Sequence, residues 1–193
     1  MNLNTIYNED CLETMKRMPD KSIDLVLTDP PYGIGISKNP FRGKFPKTEW
    51  DNATPSIEIF NEIMRVSKQQ VIWGGNYFPL PPNRGFLIWD KKQSEKFSSA
   101  MAEMAWTSRN APAKIFRKHA ASFPKHHPTT KPVDLLEWCI NFFKDIETIY
   151  DPFMGSGSTA VACQNLGINY IGSELSKEYC DIAEERLKQS VLL

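Results

Sequence analysis

No stretch of this 193-residue chain approaches the roughly 20 consecutive apolar residues that a bilayer-spanning helix needs. Its opening, MNLNTIYNEDCLETM, lacks the basic start and apolar run of a secretory leader. Both absences lead to the expectation of a soluble, cytoplasmic protein with no membrane partner. The four cysteines, Cys11, Cys139, Cys163 and Cys180, form no Cys-x-x-Cys pair. Three of them fall at apolar positions of helical stretches, so they read as packing residues and not as a disulfide framework. His119, His126 and His127 share one basic segment with no second cluster at zinc-like spacing, so no metal is implied. There are no internal repeats, and 41% apolar residues suffice for one core, which makes the chain a single domain, 1–193.

A net charge of zero hides an uneven distribution. Residues 109–131 hold Arg109, Lys114, Arg117, Lys118, Lys125 and Lys131 without one acid, whereas residues 133–193 hold ten acids and four bases. A second basic stretch, KNPFRGKFPK, sets Lys38, Arg42, Lys44 and Lys47 around Phe41 and Phe45. Such clusters are solvated loops, or they track a phosphate backbone with aromatics available to stack on unpaired bases. Residues 36–56 lack any clear period and form a connection longer than most.

Elements alternate along the chain. NTIYNED, SIDLVLTD, QQVIWGG, GFLIWDK, MAEMAWTS, ETIYD and NYIGSEL read as strands, and CLETMKRM, SIEIFNEIMRVSK, KPVDLLEWCINFFK, STAVACQNLG and SKEYCDIAEERLKQ as helices. Pro132 suits a first helical turn, and Gly167 suits a helix end. Strand and helix in alternation predict an α/β fold, a mostly parallel sheet with helices on both faces.

In ETIYDPFMGSGSTAVACQNLGINYIGSEL, Gly155 and Gly157 lie between a strand and a helix, and Glu174 ends the next strand. Glycines let a ligand approach the backbone, a helix start offers free N–H groups, and an acid roughly 20 residues on can accept from both ribose hydroxyls. A Walker lysine is missing, and Asp151 before the glycines could meet a cationic amine. An amino-acid-bearing nucleoside, S-adenosylmethionine, would satisfy both ends.

LVLTDPPYGIG places Asp29 at the carboxyl end of a buried strand, where open parallel sheets bind ligands. Pro30 and Pro31 stiffen the backbone and carry no N–H. The expectation is a cup of acceptors with no amide donor, the Asp29 carboxylate and the Asp29 and Pro30 carbonyls, beside the ring of Tyr32. Such a cup suits an exocyclic amine on a nucleobase, on which Tyr32 could stack.

These residues resemble the DNA methyltransferases that modify adenine N6 or cytosine N4. TDPPYG at 28–33 resembles their catalytic motif, HPTTKP at 127–132 a cofactor-flanking motif, DPFMGSGST at 151–159 their S-adenosylmethionine loop, and YIGSELSKEYCDIAEERL at 170–187 their ribose-binding strand and helix. The order, catalytic motif first and cofactor loop last, is similar to the beta arrangement, a circular permutation of the Rossmann-like methyltransferase fold. The resemblance implies catalytic roles for Asp29, Pro30, Pro31 and Tyr32. It implies cofactor contacts for Asp10, Asp29, Lys131, Asp151, Phe153, Gly155, Ser156, Gly157, Ser158, Thr159 and Glu174, with Asp10 near the adenosine and Lys131 near the methionine carboxylate. The strands ending at Asp151 and Asp29 would then be neighbours.

Residues 1–35 thus form a catalytic-motif segment, 36–131 a central segment whose basic loops contact nucleic acid through Lys38, Arg42, Lys44, Lys47, Arg117, Lys118 and Lys125, and 132–193 the S-adenosylmethionine-binding segment. An Asp at the first motif position favours adenine N6, serine being more typical of the cytosine enzymes. Cytosine N4, RNA or protein-amide methylation, and a non-catalytic nucleic-acid-binding subunit are the alternatives. The expected partner is DNA, and a homodimer is compatible with a chain that has little room for a separate recognition region.

Overall fold

The computed structural model describes residues 1–35, 53–96, 100–123 and 130–190. In chain order the elements are β1 (Thr5–Tyr7), α1 (Cys11–Lys16), β2 (Ile23–Thr28), α2 (Ile57–Val66), β3 (Ser67–Trp73), β4 (Phe86–Asp90), β5 (Ala102–Thr107), β6 (Lys114–Arg117), α3 (Val133–Ile140), β7 (Thr148–Asp151), α4 (Ser158–Leu166), β8 (Asn169–Ser173) and α5 (Lys177–Ser190). A 3₁₀ turn, Gly75–Tyr77, follows β3.

The strands form one eight-stranded sheet in the order β1-β8-β7-β2-β3-β5-β4-β6. Only β5 runs against the rest, antiparallel to both β3 and β4. The Rossmann-like expectation holds, and β7 pairs directly with β2, which brings Asp151 beside the segment that carries Asp29. Side chains staple this pair at both ends. The Asp24 carboxylate accepts from the backbone N–H of Glu147 (3.1 Å) and Thr148 (3.0 Å) at one end. The Thr28 hydroxyl donates to Asp151 Oδ1 (2.8 Å) at the other.

Alternation along β2 explains the two layers. Leu25 and Leu27 pack with α3 and α4 through Leu135, Cys139, Ala162 and Cys163. Val26 faces the opposite layer, with Met15 of α1 and Phe60 and Ile63 of α2. A strand covered on both faces must be apolar throughout, which is why LVLT reads as a continuous run. All four cysteines are buried free thiols, Cys139 and Cys163 in the first layer and Cys11 in the second.

Two local readings are corrected. Lys114–Arg117 is an edge strand paired in parallel with β4, not part of a basic loop. Four residues, K-I-F-R, offer too short a pattern to signal a strand, but they satisfy the backbone groups of β4 that would otherwise be left at the edge. Helix α3 starts after Pro132, which is the cap residue, and ends at Ile140; Phe143 continues its buried face from the turn that follows.

Candidate active site

The carboxyl ends of β2, β3, β7 and β8 open onto a cavity of about 450 Å³, inside the range of roughly 300–1,000 Å³ usual for small-molecule sites. Asp29, Pro31 and Lys131 line it at one end, and Asp10, Glu174 and Tyr179 also contribute to its wall.

Asp29 is half-buried, and both of its oxygens are engaged. The Tyr32 hydroxyl donates to Oδ1 (2.6 Å), and the Lys131 ammonium donates to Oδ2 (2.5 Å). The cup of acceptors thus has two side-chain donors converging on its carboxylate. Lys131, only 6% exposed, also lies 3.0 Å from Glu103 Oε2, and Lys91 pairs with Glu103 Oε1. Charges alternate along this chain from Asp29 to Lys91. Burial pushes the Asp29 carboxyl above its ordinary value, against the opposing pull of Lys131. Burial acts in the same direction on Glu103, but Lys131 and Lys91 outweigh it and hold that carboxyl at about 2. Lys131 stays charged because Asp29 and Glu103 together outweigh the cost of burying it.

Tyr32 stands behind this cluster and is not part of the cavity wall. Its ring stacks on Tyr77, with centroids 4.9 Å apart and planes 13° from parallel. Pro30 is buried and backs the turn. Gly74, at φ 69°, lies so close that a Cβ there would penetrate the Tyr32 ring. Gly74→Ala should therefore push Tyr32 off Asp29 and destabilise the protein by about 2 kcal/mol or more. A melting curve and a transfer assay check this, and a parent-like Tm with parent-like rate would refute the packing argument.

The glycine loop begins at Asp151, which is buried. Its carboxylate accepts from the Thr28 hydroxyl (2.8 Å), the Thr159 hydroxyl (2.6 Å) and the Phe153 N–H (3.0 Å). Burial nonetheless raises the Asp151 carboxyl to about 6. Its donors come from the protein itself, so its first role is to fix the loop. Glu174 does the same from β8, accepting from the N–H of Gly155 (2.9 Å) and of Ser176 (2.8 Å). Asp10 caps α1 by accepting from the Leu12 N–H (2.8 Å).

The two glycines differ. A Cβ on Gly155 would meet nothing within 4 Å, leaving open space over the loop, whereas one on Gly157 would come 2.6 Å from the Ala183 Cβ. Gly157 is thus needed for the packing of α4 on α5, and it is absent from the cavity wall. Arg186, which the sequence reading passed over, reaches from α5 to the carbonyl oxygen of Ser156 and lies 3.3 Å from the Ser158 hydroxyl. Ser156, Ser158, Thr159 and Phe153 all line the cavity. So does Trp73, fully buried at the end of β3, whose indole N–H has no acceptor among the described residues.

The basic residues expected to contact nucleic acid are largely matched by acids where they are described. Arg117 lies 3.4 Å from Asp90, and Lys118 lies 2.7 Å from Asp134. Lys38, Arg42, Lys44, Lys47 and Lys125 lie outside the described residues.

A family profile described as DNA methylase matches residues 87–185. The chain is 31% identical over 205 residues to the putative methylase YubD of Escherichia coli, covering 92% of this chain and 87% of that one. The chain belongs to the N6/N4 DNA methylase family. The methylase is also 28% identical over 252 residues to the type II methyltransferase M.HinfI of Haemophilus influenzae, covering 97% and 69% of the two chains. Among solved structures it resembles M1.HpyAVI in complex with SAM, with a TM-score of 0.60, 25% identity, and coverage of 94% and 98%. The cytosine-N4-specific PvuII DNA methyltransferase shares its fold, with a TM-score of 0.66 at 15% identity over 93% of this chain and 84% of that one. Within the methylase, the family match spans Glu103, Lys131 and the glycine loop.

Proposed function

We propose that this methylase transfers a methyl group from S-adenosylmethionine to the exocyclic N6 amino group of adenine in DNA. The observation that carries the reading is the Asp29 carboxylate at one end of a cavity whose wall also includes the Glu174 and Gly155 loop. The residues present fit the cofactor. Open space over Gly155 admits a ligand close to the backbone. The unpaired indole N–H of Trp73 awaits an acceptor. Glu174 keeps lone pairs for ribose hydroxyls beyond its two backbone partners.

Bound S-adenosylmethionine supplies a methyl group on a sulfonium sulfur, which takes the C–S electron pair as the amine nitrogen bonds to the methyl carbon. Asp29 accepts the amine's N–H groups and draws electron density onto its nitrogen. The methylated nitrogen is cationic and acidic, and Asp29, raised above its ordinary range by burial, takes its proton and passes it to solvent. Glu174 and Asp10 orient the nucleoside end, with Asp151 and Thr159 holding the loop between. The whole chain acts as one methyltransferase domain, with residues 36–131 contributing DNA contacts. The base must leave the duplex, since its amino group is otherwise paired.

Adenine is favoured by Asp at the first position of the DPPY motif. Incubation with methyl-labelled cofactor and mixed-sequence DNA, followed by digestion to nucleosides, should place the label in N6-methyladenine. Label in N4-methylcytosine would overturn the choice of base, and label in no nucleoside would overturn DNA as substrate.

A further inference from the structure

We propose that Glu103 is a positioning residue that takes Lys131 over from Asp29 when the target amine docks. The inference rests on Asp29 being the amine acceptor. In the structure the Lys131 ammonium already occupies the place such an amine needs, donating to Asp29 Oδ2 at 2.5 Å and reaching the Tyr32 hydroxyl at 3.4 Å. An amine that donates to the same oxygen must displace it. At 6% exposure Lys131 cannot release its charge to water, and a buried ammonium stripped of its partner is strongly destabilising.

Glu103 removes that obstacle. Its Oε2 is 3.0 Å from the ammonium, yet it is buried and accepts no hydrogen bond among the described residues. The ammonium is close enough to pair with Oε2, while its hydrogen bonds go to Asp29 and Tyr32. A swing of the Lys131 side chain that carries Nζ toward Oε2 and away from Oδ2 would leave Asp29 Oδ2 open. Lys91 pairs with the other oxygen, Oε1, so it leaves Oε2 facing Lys131 while competing with that ammonium for the same negative charge. The reversed direction of β5 makes this possible. Glu103 near its start pairs with Trp89 near the end of β4, so both carboxylates stand at the same edge of the sheet.

Transfer by the full chain, preloaded with labelled cofactor and mixed with excess unmethylated genomic DNA, tests the handover. Glu103→Gln should slow transfer about tenfold at saturating DNA, with cofactor Kd within twofold of the parent. Lys91→Gln should have the opposite sign, because Glu103 freed of its second cation attracts Lys131 more strongly; a rise of about twofold is expected. The double variant Glu103→Gln with Lys131→Met should transfer faster than Glu103→Gln alone, since no ammonium then blocks Asp29. Parent-like transfer by Glu103→Gln, equal slowing by Lys91→Gln, or a double variant no faster than the single would each overturn the proposal. Should Glu103→Gln fail to fold, the sign of the Lys91→Gln effect still decides it. Asp29→Asn run in parallel separates the two levels: if it transfers normally, the assignment of Asp29 fails, whereas an inactive Asp29→Asn beside a normal Glu103→Gln defeats the handover alone.

Discussion

Asp29→Ala should lower methyl transfer by about a thousandfold, the middle of the usual range for a group that handles a proton and orients the reacting atom, while cofactor Kd stays within threefold of the parent. The truncation removes both acceptor oxygens at the end of β2. It does not strand Lys131, because Glu103 Oε2 is already 3.0 Å away, so folding should survive. Tyr32 loses its acceptor but keeps its stacking on Tyr77. Single-turnover transfer and calorimetric titration with S-adenosylmethionine separate these effects. A variant that bound cofactor and retained a tenth or more of the parent rate would show that the amine is activated elsewhere.

Glu174→Ala should act on the opposite term, raising the cofactor Kd about a hundredfold with a far smaller change in transfer at saturation. Two backbone N–H groups, of Gly155 and Ser176, now donate to this carboxylate, and hydrogen bonds to a charged acceptor are worth about 1.5–3 kcal/mol each. Removing the acceptor frees the glycine loop and deletes the partner proposed for ribose hydroxyls. Glu174→Gln keeps the shape and one acceptor, so its loss should be intermediate. An unchanged Kd in both variants would remove Glu174 from the cofactor site.

The layered sheet was legible because its central strands are buried on both faces and are written as uninterrupted apolar runs, LVLT and VIW. The meeting of DPPY with the glycine loop followed from motif order, and the pairing of β2 with β7 bears it out. Side-chain partnerships across the sheet were not legible. Glu103 carries no motif in the stretch AEMAWT, and it is the reversed course of β5 that places it at the edge where Lys131 lies. Gly157 matched a ligand-loop pattern as well as Gly155 did; the difference is Ala183, twenty-six positions away on another helix. The charge of Arg117 and Lys118 suggested phosphate contacts, but their nearest acids come from β4 and α3 and have no local trace in the sequence.

The lone reversed strand has a consequence for how much this scaffold can carry. Because β4 and β5 are antiparallel neighbours with Asp90 opposite Ala102, their connection leaves the sheet on the side where Asp29 and the cavity lie. The β4–β5 connection is a hairpin, so residues added to it lengthen an excursion that starts and finishes at fixed points. New surface grafted there would extend the edge of the sheet that carries Asp29 without threading either hydrophobic layer, which makes this hairpin the natural place to install a different reader of sequence on an unchanged chemical core.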